Sequence, residues 1–279
     1  MSIAVLVDSS SGITPKLADE FHVRLVPIHL MWDKKEYADW VDITPDEFYA
    51  RLKTSETLPT TSGSVQGDFY SIFEELRGKV DGIVAITLAA NTPSAGYRSA
   101  VMAQEMVEGI PIEVIDSQSV ATPLGLVATA AARAADAGAD LKEVAEAAKR
   151  VIPKTNLFLN PGSISYFLRL GRISESEVDS REESYIITVK EGKLTASGDK
   201  YATQEEGRNR LKELMQEKAR KDTPLHAAVV HAAAREEAEE FKKWIASQYN
   251  CAELWIGEAS PVLAIHMSPD TLGIGFYNE

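Results

Sequence analysis

Two polar stretches rich in hydroxyl groups carry the chemistry that this sequence offers. One spans residues 91–100 and contains Ser94, and the other spans residues 58–64 and contains Thr61 and Ser62 but no charged residue. Both precede segments with a helical pattern. Backbone N–H groups at a helix start are unpaired and carry partial positive charge, so hydroxyls beside them can help to bind an anion. The two stretches therefore indicate a paired site for an oxyanion.

The segments around Ser94 determine where it lies. Residues 82–88 are apolar and partly β-branched, which predicts a buried strand. Residues 99–107 predict a helix, and its inward-facing residues are Ala100, Ala103, Met106 and Val107. Ser94 then lies where a strand passes into a helix. Taken alone, Ser94 is also consistent with a simple helix cap, as is Ser62 before the helix predicted from Phe69 onward.

His266 stands apart from the other histidines, which lie in or beside predicted strands. It follows the apolar run 262–265 and precedes the irregular segment 267–269. A positioned imidazole is a good partner for a carboxylate, and a structural hydrogen bond to the backbone is the alternative. Asp8 and Ser9 follow the first predicted strand, at the edge of a parallel sheet where ligands gather. They are candidates for the edge of a site, or for a capped loop.

Composition excludes several classes of function. The net charge of −13 argues against nucleic acid and anionic membranes as partners, whereas an anionic ligand held by N–H groups and hydroxyls needs no lysine. Cys251 is the single cysteine, so no internal disulfide can form. We find no signal peptide pattern, no membrane span and no phosphate-binding or His-Glu-x-x-His motif. We therefore expect a cytoplasmic protein with no membrane insertion, cofactor or metal.

The order of predicted elements indicates an α/β fold. Strands and helices alternate through the first half, which predicts a domain at residues 1–153 with a mainly parallel sheet. Residues 23–31 form one of its predicted strands. Residues 154–279 combine a hairpin with strand–helix units, which predicts a second α/β domain with a mixed sheet. We expect the ligand to lie between the two domains.

An ordered set of segments, spread over nearly the whole chain, resembles the DegV family. The segments are Asp8-Ser9-Ser10-Ser11, Val41-Asp42-Ile43-Thr44-Pro45, Pro59-Thr60-Thr61-Ser62, Ser94-Ala95-Gly96-Tyr97-Arg98-Ser99-Ala100, Ile115-Asp116-Ser117, Gly171-Arg172-Ile173 and Ala264-Ile265-His266. The resemblance implies two α/β domains that enclose one fatty acid. Some members of this family serve as the acyl-carrying subunit of bacterial fatty acid kinase and present the carboxylate to a separate ATP-binding subunit.

The resemblance also implies site residues. Thr61, Ser94 and His266 match the positions that hold the carboxylate, with Ser62 and Ala95 beside them. The acyl tail would then occupy an apolar tunnel.

The sequence departs from the family pattern at four places. The usual motifs Ser-Gly-Thr-Tyr, Gly-Gly-Arg-Ile and His-Thr-Gly-Pro-Gly are replaced by Ser94-Ala95-Gly96-Tyr97, Leu170-Gly171-Arg172-Ile173 and His266-Met267-Ser268-Pro269-Asp270. Ala202 stands where kinase-linked members usually carry an arginine. The loss of that charge affects the expectation of phosphotransfer more than the expectation of lipid binding.

These observations lead to one main hypothesis and to alternatives. The main hypothesis is a non-enzymatic carrier that binds a long-chain fatty acid and presents its carboxylate to a fatty acid kinase partner. One alternative is a hydrolase that uses Ser94 and His266, although no nucleophile-elbow motif supports it. Another is a small-molecule sensor without a kinase partner.

Overall fold

The computed structural model describes residues 2–63, 66–92, 95–179 and 184–279. The strands are β1 (Ile3–Asp8), β2 (Val23–Val26), β3 (His29–Trp32), β4 (Lys35–Ala38), β5 (Thr60–Gly63), β6 (Gly82–Thr87), β7 (Ile112–Asp116), β8 (Asn156–Asn160), β9 (Ser184–Lys190), β10 (Lys193–Tyr201), β11 (Leu225–Ala232), β12 (Cys251–Glu258) and β13 (Thr271–Asn278). The helices are α1 (Pro15–Glu20), α2 (Pro45–Leu52), α3 (Gln66–Leu76), α4 (Gly96–Gln104), α5 (Ala121–Asp136), α6 (Leu141–Val151), α7 (Ile164–Arg169), α8 (Gln204–Lys218), α9 (Arg235–Gln248) and α10 (Pro261–His266).

Two main sheets confirm the predicted fold class. The first has the order β2-β1-β6-β7, and its neighbouring strands are all parallel. Every residue of β6 is buried, as expected for a parallel sheet with helices on both faces. The second has the order β10-β9-β8-β13-β11-β12, in which only β11 and β12 pair in parallel. The domain boundary at residues 153 and 154 stays a prediction.

A small antiparallel sheet, β4-β3-β5, was not expected. The prediction of one strand over residues 23–31 is wrong, because the chain leaves the parallel sheet after Val26 and re-enters a different sheet at His29. Pro27 lies at the break, and proline cannot donate a ladder hydrogen bond. The stretch that contains Thr61 forms strand β5, which pairs with β3, and the predicted helix follows it as α3 from Gln66.

Helix α5 joins the two main sheets. It packs against β1 of the first sheet and against β11 and β13 of the second, so both halves share one hydrophobic core. Gly275 on β13 makes this close packing possible, since an added Cβ would lie 2.5 Å from Thr122 Oγ1 and 2.8 Å from Pro123 Cδ. The alanine-rich helix α5 is therefore the central layer of the molecule.

Local signals placed most helices correctly. The spacing Thr44-Pro45-Asp46-Glu47 predicts a capping box, which forms at the start of α2, and Asp140, three residues before Glu143, likewise caps α6. The inward position predicted for Met106 is wrong, since its side chain is 55% exposed. Helix α4 begins and ends earlier than the prediction, so Met106 lies beyond its last turn.

Candidate functional site

A cavity of about 520 Å³ opens at the carboxyl edge of the parallel sheet, where β1, β6 and β7 end. Residues of the second half close it from the other side. This volume lies within the range of about 300–1,000 Å³ that is typical of small-molecule sites. Much of its lining is apolar, and these residues are Ile28, Leu88, Val120, Ala121, Leu159, Phe167, Leu194, Val262, Leu263 and Met267.

The main cationic group in the cavity wall is Arg172, and the end of helix α7 positions it. Gly171 has a φ of +60°, a left-handed conformation that glycine adopts without strain. The N–H groups of Gly171 and Arg172 donate to the carbonyls of Leu168 and Phe167, at 3.0 and 2.9 Å. This is the Schellman pattern that ends many helices. It places Arg172 immediately after the turn, beside the cavity.

Arg172 and His266 meet in the cavity wall although they are 94 residues apart in the sequence. Arg172 Nε donates to His266 Nδ1 at 3.3 Å, and Nη2 lies 3.2 Å from Nε2. Burial, together with the neighbouring positive charge, lowers the pKa of His266 to about 3. The imidazole is therefore neutral at physiological pH. A neutral ring carries one proton, so one of its nitrogens can still donate to a ligand.

The charge of Arg172 has no counter-ion in the part of the chain that the structure describes. Burial lowers the pKa of Arg172, and the guanidinium pairs with no carboxylate among the described residues. A desolvated cation without a counter-ion is unfavourable, and an anion bound beside it would relieve that cost. The sequence analysis noted Arg172 only as part of a motif and missed it as a site residue. An arginine directly after a helix-ending glycine was the available signal.

Helix α10 positions His266 and begins with several specific contacts. Ser260 Oγ accepts from the N–H of Leu263 at 3.3 Å, and Pro261 takes the first helical position. Asp39 Oδ1 accepts from the N–H of Val262 at 3.1 Å. His266 is the last residue of this helix and precedes the non-helical segment 267–270, and α10 packs against β5.

The predicted hydroxyl ligands lie on the side of the cavity formed by β5. Thr61 and Ser62 both line the cavity. The Thr61 hydroxyl makes no hydrogen bond within the part of the chain that the structure describes, whereas Ser62 Oγ lies 3.4 Å from Glu36 Oε1. Ser94 lies outside the described residues. Ala95 caps the start of α4 with its backbone and is not among the described residues that line the cavity.

The mouth of the cavity carries further polar groups. Gly192, in the turn between β9 and β10, and Lys193, the first residue of β10, line the cavity together with Asn91, which follows β6. Asn91 Nδ2 donates to the carbonyl of Glu191 at 2.5 Å, so this contact joins the two halves beside the cavity. Glu177 adds one negative charge to the lining.

Fold and cavity together define a class of protein. It is an α/β protein whose two main sheets enclose an apolar cavity, and this cavity has one polar, cationic region in its wall. No described helix combines the length and apolar character that crossing a membrane requires.

Comparison with known proteins identifies the family within this class. The sequence model described as "Uncharacterised protein, DegV family" matches residues 2–279, so the chain belongs to the DegV family. A DegV domain-containing protein of Halalkalibacterium halodurans is 29% identical over 99% of both chains. In fold, the chain resembles DegV, a fatty acid binding protein from Bacillus subtilis, with a TM-score of 0.90 and 23% identity over all of both chains. It also resembles a DegV family protein from Eubacterium eligens loaded with heptadecanoic acid, with a TM-score of 0.83 and 19% identity over all of both chains.

Proposed function

We propose that this protein binds one long-chain fatty acid in the cavity. The carboxylate pairs with Arg172 and accepts hydrogen bonds from Thr61, Ser94 and His266, and the acyl tail lies along the apolar lining. The observation that carries this proposal is the guanidinium of Arg172, which pairs with no carboxylate of the described residues and lies beside a neutral imidazole in a mostly apolar wall. A ligand with one anionic end and a long apolar remainder satisfies both parts of the site.

The relatives support the same ligand class. The Bacillus subtilis protein of the same fold is a fatty acid binding protein, and the Eubacterium eligens protein carries heptadecanoic acid. Burial contributes about 0.8 kcal/mol for each CH₂ group, so a long tail supplies most of the affinity, and the polar region fixes its direction.

Binding should be visible in the purified protein. We expect native mass spectrometry to detect a co-purifying fatty acid, and we expect removal of that lipid to lower the melting temperature. At a free palmitate concentration of about 100 times the Kd, restored ligand should stabilise the fold by about 2.7 kcal/mol, which corresponds to roughly 5 °C.

Methyl palmitate provides a matched control ligand, because it keeps the tail and removes the charge. It should raise the melting temperature much less than palmitate does. Equal stabilisation by the acid and the ester would contradict a site built for a carboxylate, and the absence of any bound or added acid would contradict the proposal as a whole.

The hydrolase alternative is disfavoured by the low pKa of His266 and by the contact of its ring with Arg172. A general base works best when its pKa lies near the working pH, whereas that of His266 is lowered to about 3. Its ring also accepts a hydrogen bond from Arg172.

A kinase partner remains part of the proposal through the family resemblance alone. Incubation with a fatty acid kinase subunit and ATP should yield acyl phosphate if the chain is a carrier for phosphorylation. Ala202, where kinase-linked members carry an arginine, is the position to replace if lipid binds but no acyl phosphate forms.

A further inference from the structure

Two fully buried carboxyl groups lie directly behind the cavity wall. Asp8 Oδ2 accepts from the N–H of Leu88 at 2.6 Å, and its Oδ1 accepts from the N–H and hydroxyl of Ser10, at 3.1 and 2.5 Å. Leu88 and Ser10 both line the cavity. Asp8 and Ser9 were candidates for the edge of a site, and they lie behind the edge that Ser10 provides.

Asp39 joins the two halves of the chain at the same place. It is 1% exposed and accepts from Val262, 223 residues away, at the first turn of α10. Its Oδ2 makes no hydrogen bond to the described residues. The hydroxyls of Ser9 and Ser260 face the carboxyl, and each already accepts from a backbone N–H group, at 3.0 and 3.3 Å. As donors to the carboxylate these hydroxyls lower the pKa of Asp39, but burial outweighs them, and the second lone pair of each hydroxyl oxygen can accept a proton held on Oδ2.

Burial favours the protonated forms of Asp8 and Asp39. Burial raises the pKa of Asp8 to about 6, and burial together with the nearby Asp8 raises the pKa of Asp39 to about 7. No cationic side chain of the described residues pairs with either carboxyl. The titratable group at the far end of α10, His266, stays neutral above pH 4 because its pKa is lowered to about 3.

We propose that Asp39 in its protonated form is a positioning residue of the fatty acid site: it holds the first turn of α10 and thereby sets the position of His266. Loss of the proton leaves the carboxylates of Asp8 and Asp39 both charged and buried away from water. Loosening of the start of α10 lets water reach them and lowers this electrostatic cost. The added negative charge also disfavours a carboxylate in the adjacent cavity. Affinity for the fatty acid therefore falls as the pH rises through the titration of Asp39. This inference rests on the proposed function.

The test compares three variants with the wild-type protein, with cis-parinaric acid as an intrinsically fluorescent fatty acid. Dissociation constants are measured at about pH 6 and about pH 8.5, at constant ionic strength. We expect the wild-type affinity to fall about thirtyfold between these two values, because a carboxyl with a pKa of about 7 is mostly protonated at pH 6 and only about 3% protonated at pH 8.5. Asp39→Asn imitates the protonated carboxyl and should keep the high affinity at both. Asp39→Ala lacks the acceptor for Val262 and should bind weakly at both.

Asp42→Asn is the matched control, because Asp42 is an exposed aspartate three residues away that accepts from the N–H of Ala38 at 2.8 Å. It should show the wild-type pH dependence. Parallel pH profiles for Asp39→Asn and the wild-type protein would overturn the inference while leaving the proposed function intact. If the wild-type protein binds no acid at either pH, the proposed function itself fails. Melting temperatures of all variants verify that they are folded.

Discussion

Replacement of Arg172 by methionine is expected to weaken palmitate binding about 100-fold, because a charge-assisted pair with a carboxylate contributes roughly 2–3 kcal/mol. Methionine keeps an unbranched apolar stem of similar length, so the cavity wall should retain its shape. Since Arg172 has no counter-ion among the described residues, its removal should leave the ligand-free fold as stable as before, or slightly more stable. Calorimetric titration with palmitate and thermal melting of the lipid-free protein measure the two effects.

Two controls separate the head group from general damage. The affinity for methyl palmitate should be unchanged in Arg172→Met, because the ester carries no charge for the guanidinium to bind. Arg169→Met provides a matched substitution three residues away, on an exposed side chain that stacks over Tyr166 at 4.6 Å and is not among the residues lining the cavity. A similar loss of acid and ester binding, or a similar loss in Arg169→Met, would show that Arg172 does not bind the carboxylate.

The sequence predicted the features that depend on neighbouring residues. The capping box at Thr44 and the cap at Asp140 each depend on a few consecutive positions, and both are found in the structure. The parallel and mixed sheets follow from the order of the elements, which the alternation of apolar segments reveals. Pro27 was a local signal as well, and greater weight on it would have divided the strand predicted over residues 23–31.

Contacts between distant segments could not be predicted in this way. The pairing of β5 with β3, which makes a strand of the stretch that contains Thr61, depends on hydrogen bonds across about 30 residues. Arg172 contacts His266, and Asp39 contacts Val262, across 94 and 223 residues of sequence. No local pattern of residues indicates which of these distant segments meet. The net charge of −13 gave no indication of a cationic group in the site, whereas Arg172, which pairs with no carboxylate of the described residues, lies in the cavity wall. The roles of Thr61, Ser94 and His266 as ligands stay predictions until binding is measured.

Glu253 on β12 forms a charged contact between α5 and the mixed sheet. Its side chain is 10% exposed, and its Oε2 accepts from Arg133 Nη1 on α5 at 2.5 Å and lies 2.9 Å from His226 Nδ1 on β11. Oε1 accepts from Trp255 Nε1 at 2.9 Å. Burial alone would raise the pKa of Glu253, but the hydrogen bond with His226 and the charge of Arg133 outweigh it and lower the pKa.

Glu253→Gln is expected to destabilise the fold by about 3 kcal/mol near neutral pH, because the amide offers one acceptor oxygen to three donors and leaves Arg133 without its partner. A carboxyl whose pKa is lowered by folding contributes stability above its unfolded pKa, and this contribution is lost as the pH falls through the lowered value. The difference in unfolding free energy between the wild-type protein and the variant should therefore shrink below about pH 4.

Urea unfolding at several pH values measures this difference, and Glu240→Gln, at an exposed glutamate on α9, is the control. A double-mutant cycle with Arg133→Met isolates the pair itself. Additive effects of the two substitutions would show that the contact between α5 and β12 does not hold the two sheets together around the cavity.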